Sequence, residues 1–156
     1  MVEFGGRVAQ CALGRSGRRA AKREGDGASP VGLYTFQRVL YRADRVRRPS
    51  TGLPVSAIGP RDGWCDAAGD RNYNRAVRLP YPASTEQMWR EDAIYDIVVV
   101  ISHNQRPRMR GAGSAVFVHL ARAGYLPTQG CVALGERDLR RVLARLRQGA
   151  RVRILP

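Results

Sequence analysis

Short apolar runs separated by proline and glycine make up most of this chain, and a helical period of apolar positions appears only near its C-terminus. The segment 95–102 (YDIVVVIS) is almost entirely apolar, which is typical of a strand buried on both faces, so we expect it at the centre of a sheet. In the segment 114–119 (SAVFVH) apolar positions alternate, so Ala115, Phe117 and His119 share one face of a strand. Further strands are predicted for 8–13, 31–41, 55–58 and 151–155.

One helix is predicted, over 136–148. Its apolar residues Leu139, Val142, Leu143 and Leu146 recur at i, i+3, i+4 and i+7, acidic residues open it, and Gly149 follows it. Several strands with one helix predict a mainly β fold, by default a sandwich or a partly closed barrel. The length favours a single domain over 1–156, with its core at about 8–155.

Segment 61–92 is expected to be an irregular but ordered loop. Asp, Asn, Gly and Pro recur along it, and four aromatic residues are spaced as anchors: Trp64, Tyr73, Tyr81 and Trp89. This combination suits a loop held in place by aromatic side chains better than a flexible linker.

The composition is that of a globular protein, with 44% apolar and 26% charged residues, which excludes bulk disorder. Lys and Arg number 27 and Asp and Glu number 13, so the formal net charge is +14. A charge of this size attracts polyanions, whether nucleic acid, an anionic membrane or an acidic cell-wall polymer. We read no signal peptide, because the basic N-terminal residues are not followed by a continuous apolar segment, and no apolar run is long enough to span a bilayer.

The chain contains three cysteines, and the odd number leaves at least one free thiol. With no C-x-x-C pair and only two histidines, a zinc site has little support, so we expect neither a metal nor another cofactor. Cys11 and Cys65 are most simply core thiols, and a disulfide between them in an oxidising compartment is the alternative.

The segment 113–134 (GSAVFVHLARAGYLPTQGCVAL) holds the residues with the clearest chemical potential. His119 ends a predicted strand, and a loop returns the chain so that Cys131 can approach it. A histidine beside a thiol favours the reactive thiolate near neutral pH and can shuttle a proton, as acyl transfer through a thioester requires. Gly130 lets backbone N–H groups approach a developing oxyanion. The structural alternative is a buried small side chain at Cys131 and a hydrogen-bonded histidine at a strand end.

This segment resembles the active-site signature of the YkuD-type L,D-transpeptidases, in which a catalytic cysteine follows a glycine and a histidine lies upstream on the preceding strand. The turn 22–32 (KREGDGASPVG) is similar to the early K-x-G-D and T-P-x-G pieces of that family, and W-C-D at 64–66 and Y-N-R at 73–75 match one of its branches. The resemblance covers about 11–155. It implies a mainly β fold, a sandwich of mixed sheets with a small helical part and a C-terminal helix followed by a strand.

The resemblance also implies site residues. Cys131 would be the nucleophile, His119 the acid and base, and the N–H groups of Gly130 and Cys131 would hold the oxyanion. The expected substrate-binding residues are Ser114, Thr128, Gln129 and His103. Many family members carry His and Arg at the positions that Gln129 and Ala133 occupy here.

The function that the resemblance implies is acyl transfer on peptidoglycan stem peptides. Cys131 would form a thioester with loss of the terminal D-Ala, and the acyl group would pass to an acceptor amine or, as in an L,D-carboxypeptidase, to water. The main-chain carbonyl of Leu120 would orient the imidazole of His119. The expected partner is therefore a muropeptide and not nucleic acid, without stable membrane insertion, and a monomer is favoured. The resemblance implies a location in the periplasm or at the cell envelope, and the lack of a visible signal peptide leaves the cytoplasm open as the alternative.

An interpretation from a different class is a basic domain that binds nucleic acid or an anionic surface and has no catalytic activity. It would use the arginine-rich segments 15–23, 38–48 and 137–153. Aromatic residues are not interleaved with these segments in a stacking pattern, and no nucleic-acid-binding motif is present. The sequence therefore favours the acyltransferase.

Overall fold

The computed structural model of the protein describes residues 1–156, with fourteen strands, one α-helix and two short 3-10 helices. The strands are β1 (Val2–Phe4), β2 (Arg7–Ala9), β3 (Cys11–Ala12), β4 (Arg18–Arg19), β5 (Ser29–Pro30), β6 (Gly32–Tyr41), β7 (Val55–Ala57), β8 (Asp62–Cys65), β9 (Arg75–Arg78), β10 (Thr85–Gln87), β11 (Ile97–Ile101), β12 (Phe117–Leu120), β13 (Val132–Leu134) and β14 (Arg151–Ile154). The helix is α1 (Glu136–Leu143), and the 3-10 helices span Ala93–Tyr95 and Ala123–Tyr125. None of these helices combines the length and the apolar composition that a bilayer crossing requires.

A mixed seven-stranded sheet forms the centre of the molecule. Its strands run in the order β14-β6-β11-β12-β13-β3, with β7 paired to β6. The pairs β12–β13 and β6–β7 are parallel, and the other pairs are antiparallel. Strand β11 lies inside the sheet and all five of its residues are buried, which confirms the prediction of a central strand within 95–102.

Alternation along the central strands divides the core into two layers. On one face, the side chains of Val99, Val118 and Val132 belong to the larger apolar cluster. On the other face, Val98 and Phe117 belong to a smaller cluster. Because successive side chains of a strand point to opposite faces, one short strand serves both layers.

Each face of the large sheet has its own cover. Helix α1 places Leu139, Val142 and Leu143 in the larger cluster. On the opposite face, the three-stranded antiparallel sheet β10-β8-β9 contributes Trp64 to the smaller cluster, with Met88 directly after β10. This arrangement confirms the predicted class, mainly β with mixed sheets, a small helical part and a C-terminal helix followed by a strand.

The prediction of an irregular loop over 61–92 is wrong, because β8, β9 and β10 all lie in it. These strands have three or four residues each, too few to show a period against the intervening turns. The aromatic anchors are partly as expected. Trp64 and Tyr73 are almost fully buried, whereas Tyr81 and Trp89 are only half-buried.

The helix is shorter than the predicted 136–148 and ends at Leu143. The next turn tightens, since the N–H of Leu146 donates to the carbonyl of Leu143 three residues earlier. The carbonyl of Leu146 then accepts a hydrogen bond from the N–H of Gly52, and Arg147 forms a β-bridge with Gly52. Leu146 still packs on the core, so the apolar period continues beyond the helix itself.

We expect Leu139→Ala to lower the free energy of unfolding by about 2–5 kcal/mol, because the Leu139 side chain is fully buried beneath α1 and its loss leaves a cavity. Urea denaturation measures the change. The matched control is Leu33→Ala on β6, where the side chain is 46% exposed and the expected loss is below about 1 kcal/mol. Equal losses for the two variants would contradict the assignment of α1 to the core.

Candidate active site

The parallel pairing of β12 with β13 brings Cys131 and His119 to the same face of the sheet. His119 lies opposite Ala133 in the register, so Phe117 lies opposite Cys131. The two candidate residues are therefore two positions apart along adjacent strands, about 7 Å of strand rise. Both point to the face that carries Phe117 and away from the face covered by α1.

Both side chains open into a cleft of about 210 Å³. The residues that line it are Lys22, Glu24, Gly25, Asp66, Glu86, Arg90, Ile94, Tyr95, Ser114, Ala115, Val116, His119, Arg122, Leu126, Thr128, Gln129, Gly130, Cys131 and Ala133. The structure thus brings together six of the seven site residues expected from the sequence. No group of three or more His, Cys, Asp or Glu side chains is arranged to hold a metal ion.

The Cys131 thiol is held between two backbone groups. It donates to the carbonyl of Ala115 at 3.2 Å and accepts from the N–H of Phe117 at 3.3 Å. Burial raises its pKa to about 12, only partly offset by the Phe117 N–H. Desolvation of the sulfur outweighs the opposing effects of the Phe117 N–H and of Lys22, so burial favours the protonated thiol at rest in place of the thiolate expected near neutral pH.

The His119 ring is fixed in one tautomer. Its Nδ1–H donates to the carbonyl of Leu120 at 2.8 Å, which leaves Nε2 as the acceptor nitrogen. The edge of the ring packs on Tyr95, with 5.4 Å between centroids. Burial lowers the pKa of His119 to about 4, so the imidazole is neutral over the whole physiological range and can accept a proton.

Only one of the two expected oxyanion donors is free. The N–H of Gly130 donates to the hydroxyl of Thr128 at 3.1 Å, and this hydroxyl donates to the carbonyl of Cys131 at 2.7 Å. The N–H of Cys131 makes no hydrogen bond within the protein. Thr128 therefore braces the loop that carries Cys131, and the backbone N–H of Cys131 is the donor that remains available.

The early turn lies against this loop. Ser29 Oγ donates to the carbonyl of Cys131 at 3.3 Å. Gly130 has φ +133°, and a Cβ there would meet the carbonyl oxygen of Ala28 at 2.8 Å, so only glycine fits beside the turn. Asp26 closes the turn by accepting from the N–H of Ala28, and its salt bridge with Lys22 contributes to a pKa of about 2. The turn therefore supports the loop that presents Cys131.

The remaining expected residues divide into three cases. Gln129 is exposed and lines the cleft. Ser114 lines it with a buried hydroxyl that lies beside Tyr73 without completing a hydrogen bond. His103 does not line the cleft, because its Nε2 is bound to the carbonyl of Ala112 at 3.0 Å and its ring packs on Tyr34.

Charged residues that sequence reasoning missed complete the cleft, and most of them come from the segment 61–92 that was expected to be a loop. Arg90 forms a two-point ion pair with Asp92, at 2.7 and 2.9 Å, and a further one with Glu86 at 3.1 Å. Burial raises the pKa of Glu86 despite this cation. Asp66 follows β8, and Arg122 follows β12. Of these residues, only Asp66 lies in a motif that the sequence analysis singled out, the W-C-D motif at 64–66.

Asn74 connects the small sheet to the site and was also missed as a functional position. Its Oδ1 accepts from Trp64 Nε1 at 2.9 Å and from the N–H of Ala115 at 3.2 Å. Its Nδ2 donates to the carbonyls of His103 and Asn104. Since the Ala115 carbonyl accepts the hydrogen bond of the Cys131 thiol, Asn74 fixes the segment on which this thiol rests. The Y-N-R motif was its sequence signal.

The family model described as L,D-transpeptidase catalytic domain (YkuD) matches residues 2–154 of the chain. This range includes every residue that lines the cleft. The comparisons with curated proteins and with solved structures yield no match.

Alkylation of Cys131 by iodoacetamide should rise about tenfold per pH unit from pH 7 to 10 without a plateau, because a thiol with a pKa of about 12 supplies more thiolate at each step. Peptide mapping by mass spectrometry gives the rate at Cys131 separately from Cys11 and Cys65. A plateau near neutral pH would show a preformed thiolate and contradict this description of the resting site.

Asn74→Ala should lower the free energy of unfolding by about 3 kcal/mol, because several buried hydrogen-bond partners lose their counterpart at once. Asn72→Ala is the control, since its side chain makes one contact, to Tyr81, and we expect a loss of about 1 kcal/mol or less. Both are measured by urea denaturation. If Asn74→Ala lowered the free energy of unfolding no more than Asn72→Ala, the supporting role assigned to Asn74 would be wrong.

Proposed function

The chain belongs to the YkuD family of L,D-transpeptidase catalytic domains, and we propose that it is a cysteine acyltransferase acting on peptidoglycan stem peptides. Family membership itself establishes an L,D-transpeptidase-type domain of peptidoglycan metabolism, in a family that typically works at the cell envelope. The observation that carries the finer proposal is the placement of the Cys131 thiol and the His119 imidazole on one face of β12–β13, in one cleft.

The first step is attack by sulfur. A substrate carbonyl in the cleft draws the thiol away from the Ala115 carbonyl, and the S–H proton passes to Nε2 of His119 as the C–S bond forms. Because both groups are neutral at rest, proton transfer accompanies the attack and does not precede it. The hydrogen bond from Nδ1–H to the Leu120 carbonyl stabilises the imidazolium that results.

The tetrahedral intermediate needs a donor for its oxygen. The free N–H of Cys131 fills this role, while Thr128 and Ser29 fix the same residue through its carbonyl. Collapse of the intermediate breaks the C–N bond to the terminal D-Ala, and the imidazolium of His119 returns its proton to the leaving amine. The product is a thioester on Cys131.

In the second half of the reaction, the thioester is resolved by the same residues acting in the reverse order. An acceptor amine or a water molecule gives a proton to His119 and attacks the thioester, and the thiol is regenerated. An amine gives a cross-link and water gives a shortened stem, so transpeptidase and carboxypeptidase activities use the same residues.

The lining of the cleft supports a small substrate with both signs of charge. Arg122 is 45% exposed at the cleft and makes only a 3.4 Å pair with Asp92, so it is available to the carboxylate of the leaving D-Ala. Arg122 would thereby supply the positive charge that is missing at Gln129 and Ala133, where many family members carry His and Arg. The alternative of a purely basic binding domain has less support, since Arg42, Arg45, Arg140 and Arg141 of the basic segments pair with carboxylates.

Cys131→Ala should abolish product formation from a disaccharide tetrapeptide, and His119→Ala should lower kcat/KM by about 100-fold or more, because each removes one half of the proton-transfer pair. Products are identified and quantified by mass spectrometry. The matched controls Cys11→Ala and Cys65→Ala should stay within a few-fold of the parent protein. Product formation by Cys131→Ala would show that another residue is the nucleophile.

A further inference from the structure

A groove of about 580 Å³ lies on the face of the large sheet that α1 covers, apart from the cleft of Cys131. Val132 and Val142 line it, and both are buried members of the larger apolar cluster. Cys131, although next to Val132 in sequence, belongs to the opposite face and to the cleft. The larger cluster therefore opens to solvent at a place that the proposed reaction does not use.

The groove lies between the two edges of the large sheet. β3 and β14 are the edge strands, and each pairs with a single neighbour, β13 and β6 respectively. Cys11 of β3 and all four residues of β14 line the groove. The hairpin β1–β2 forms a further wall, and its turn is held by Arg145, which donates to the carbonyl of Gly5 at 3.2 Å. The groove is thus a gap between sheet edges that no strand of the protein fills.

The lining of the groove is apolar except for four charged side chains. Of its 17 residues, 13 are hydrophobic, and the others are Glu3, Arg18, Arg151 and Arg153. A peptide or a glycan would bring amide or hydroxyl groups that find no neutral polar side chain there, at a cost in desolvation. A long hydrocarbon chain has no such groups, and the volume lies within the roughly 300–1,000 Å³ of small-molecule sites.

Exposed apolar side chains gather at the same place. Six large hydrophobic residues of the protein are exposed, and three of them, Met1, Val8 and Leu155, line this groove. Single exposed apolar residues are ordinary on a protein surface, whereas a contiguous group marks a binding site. The groove therefore has an apolar rim as well as an apolar interior.

The charge at the groove is positive and unpaired. Arg151 and Arg153 are exposed and form no salt bridge or side-chain hydrogen bond within the protein, and the same holds for Arg18. Arg151 and Arg153 are two positions apart on β14, so their side chains share one face of the strand, about 7 Å apart along it. Glu3 is the one acid of the lining. Two neighbouring guanidinium groups beside an apolar groove complement an anionic head group attached to a hydrocarbon chain.

We propose that this groove binds one long-chain anionic amphiphile, a fatty-acid-like carboxylate, as a single molecule. The hydrocarbon chain lies between β3 and β14 on the apolar cluster, and the carboxylate lies at Arg151 and Arg153. The inference does not depend on the proposed reaction, because the groove and the cleft lie on opposite faces of the sheet.

Isothermal titration of the parent protein with octanoate, decanoate and dodecanoate, each below the concentration at which it forms micelles, tests the proposal. One molecule should bind per protein, and the affinity should rise about tenfold with each two carbons, because each added methylene is buried. Dodecylammonium has a chain of the same length and the opposite charge, and it should bind at least ten times more weakly than dodecanoate.

Substitutions of the arginines assign the head group. The double variant Arg151→Gln, Arg153→Gln should bind dodecanoate about tenfold more weakly, through the loss of charge-assisted hydrogen bonds. The matched control is Arg48→Gln, Arg137→Gln, which removes the same charge from exposed arginines outside the groove and should stay within twofold of the parent protein.

Substitutions of the rim assign the chain. Val8→Ser and Leu155→Ser should each weaken dodecanoate binding severalfold, because each replaces an apolar wall of the groove. Met109→Ser is the control, since Met109 is 61% exposed, against 62% for Val8 and 60% for Leu155, and it lies outside the groove.

Several results would overturn the proposal. These are no binding of dodecanoate, an affinity independent of chain length, or equal losses in the groove variants and their controls. Binding to phosphatidylglycerol vesicles without binding of monomeric dodecanoate would also overturn it, because the rim would then be a membrane contact and not the mouth of a site. Binding to the groove with no acyl transfer at Cys131 would leave this site in place and refute the proposed function alone.

Discussion

The parallel pairing of β12 with β13 is the constraint on which the site depends. Its register alone sets Cys131 level with Phe117 and His119 level with Ala133, on the face away from α1. The intervening positions Val118 and Val132 belong to the larger apolar cluster, so the packing that stabilises the sheet also fixes the positions of Cys131 and His119. A shift of one residue in this pairing would turn Cys131 into the core beneath α1.

Burial then sets the chemical state of the pair. Desolvation raises the pKa of Cys131 and lowers that of His119, so both are neutral at rest. The thiol rests on the Ala115 carbonyl, in a segment that Asn74 holds through the backbone. The small sheet over 62–87 therefore shapes the cleft as well as the core, since Asn74 holds the segment that binds the Cys131 thiol, and Asp66 and Glu86 line the cleft.

Long apolar patterns gave reliable predictions, as in β6 and β11, because burial acts on every residue of such strands. The strand predicted over 114–119 begins only at Phe117 and ends at Leu120, because Ala115 has φ +48° and leaves the extended conformation. The short strands β8–β10 were not predicted, because turn-forming residues dominate the segment in which they lie. The approach of Cys131 to His119 in one cleft could be predicted from the order of His119, Gly130 and Cys131. The occupation of the Gly130 N–H by Thr128, and the groove between β3 and β14, could not be found, because both depend on the three-dimensional arrangement of the chain.

The central claim is that Cys131 carries the acyl group. Rapid mixing with a disaccharide tetrapeptide, acid quenching and intact-mass spectrometry with peptide mapping would test it most directly. The account predicts a transient adduct on Cys131 whose mass equals that of the muropeptide less its terminal D-Ala and water, restored to the free thiol when an amine is added. Product formation with an adduct on another residue, or an adduct at Cys131 that retains D-Ala, would contradict it.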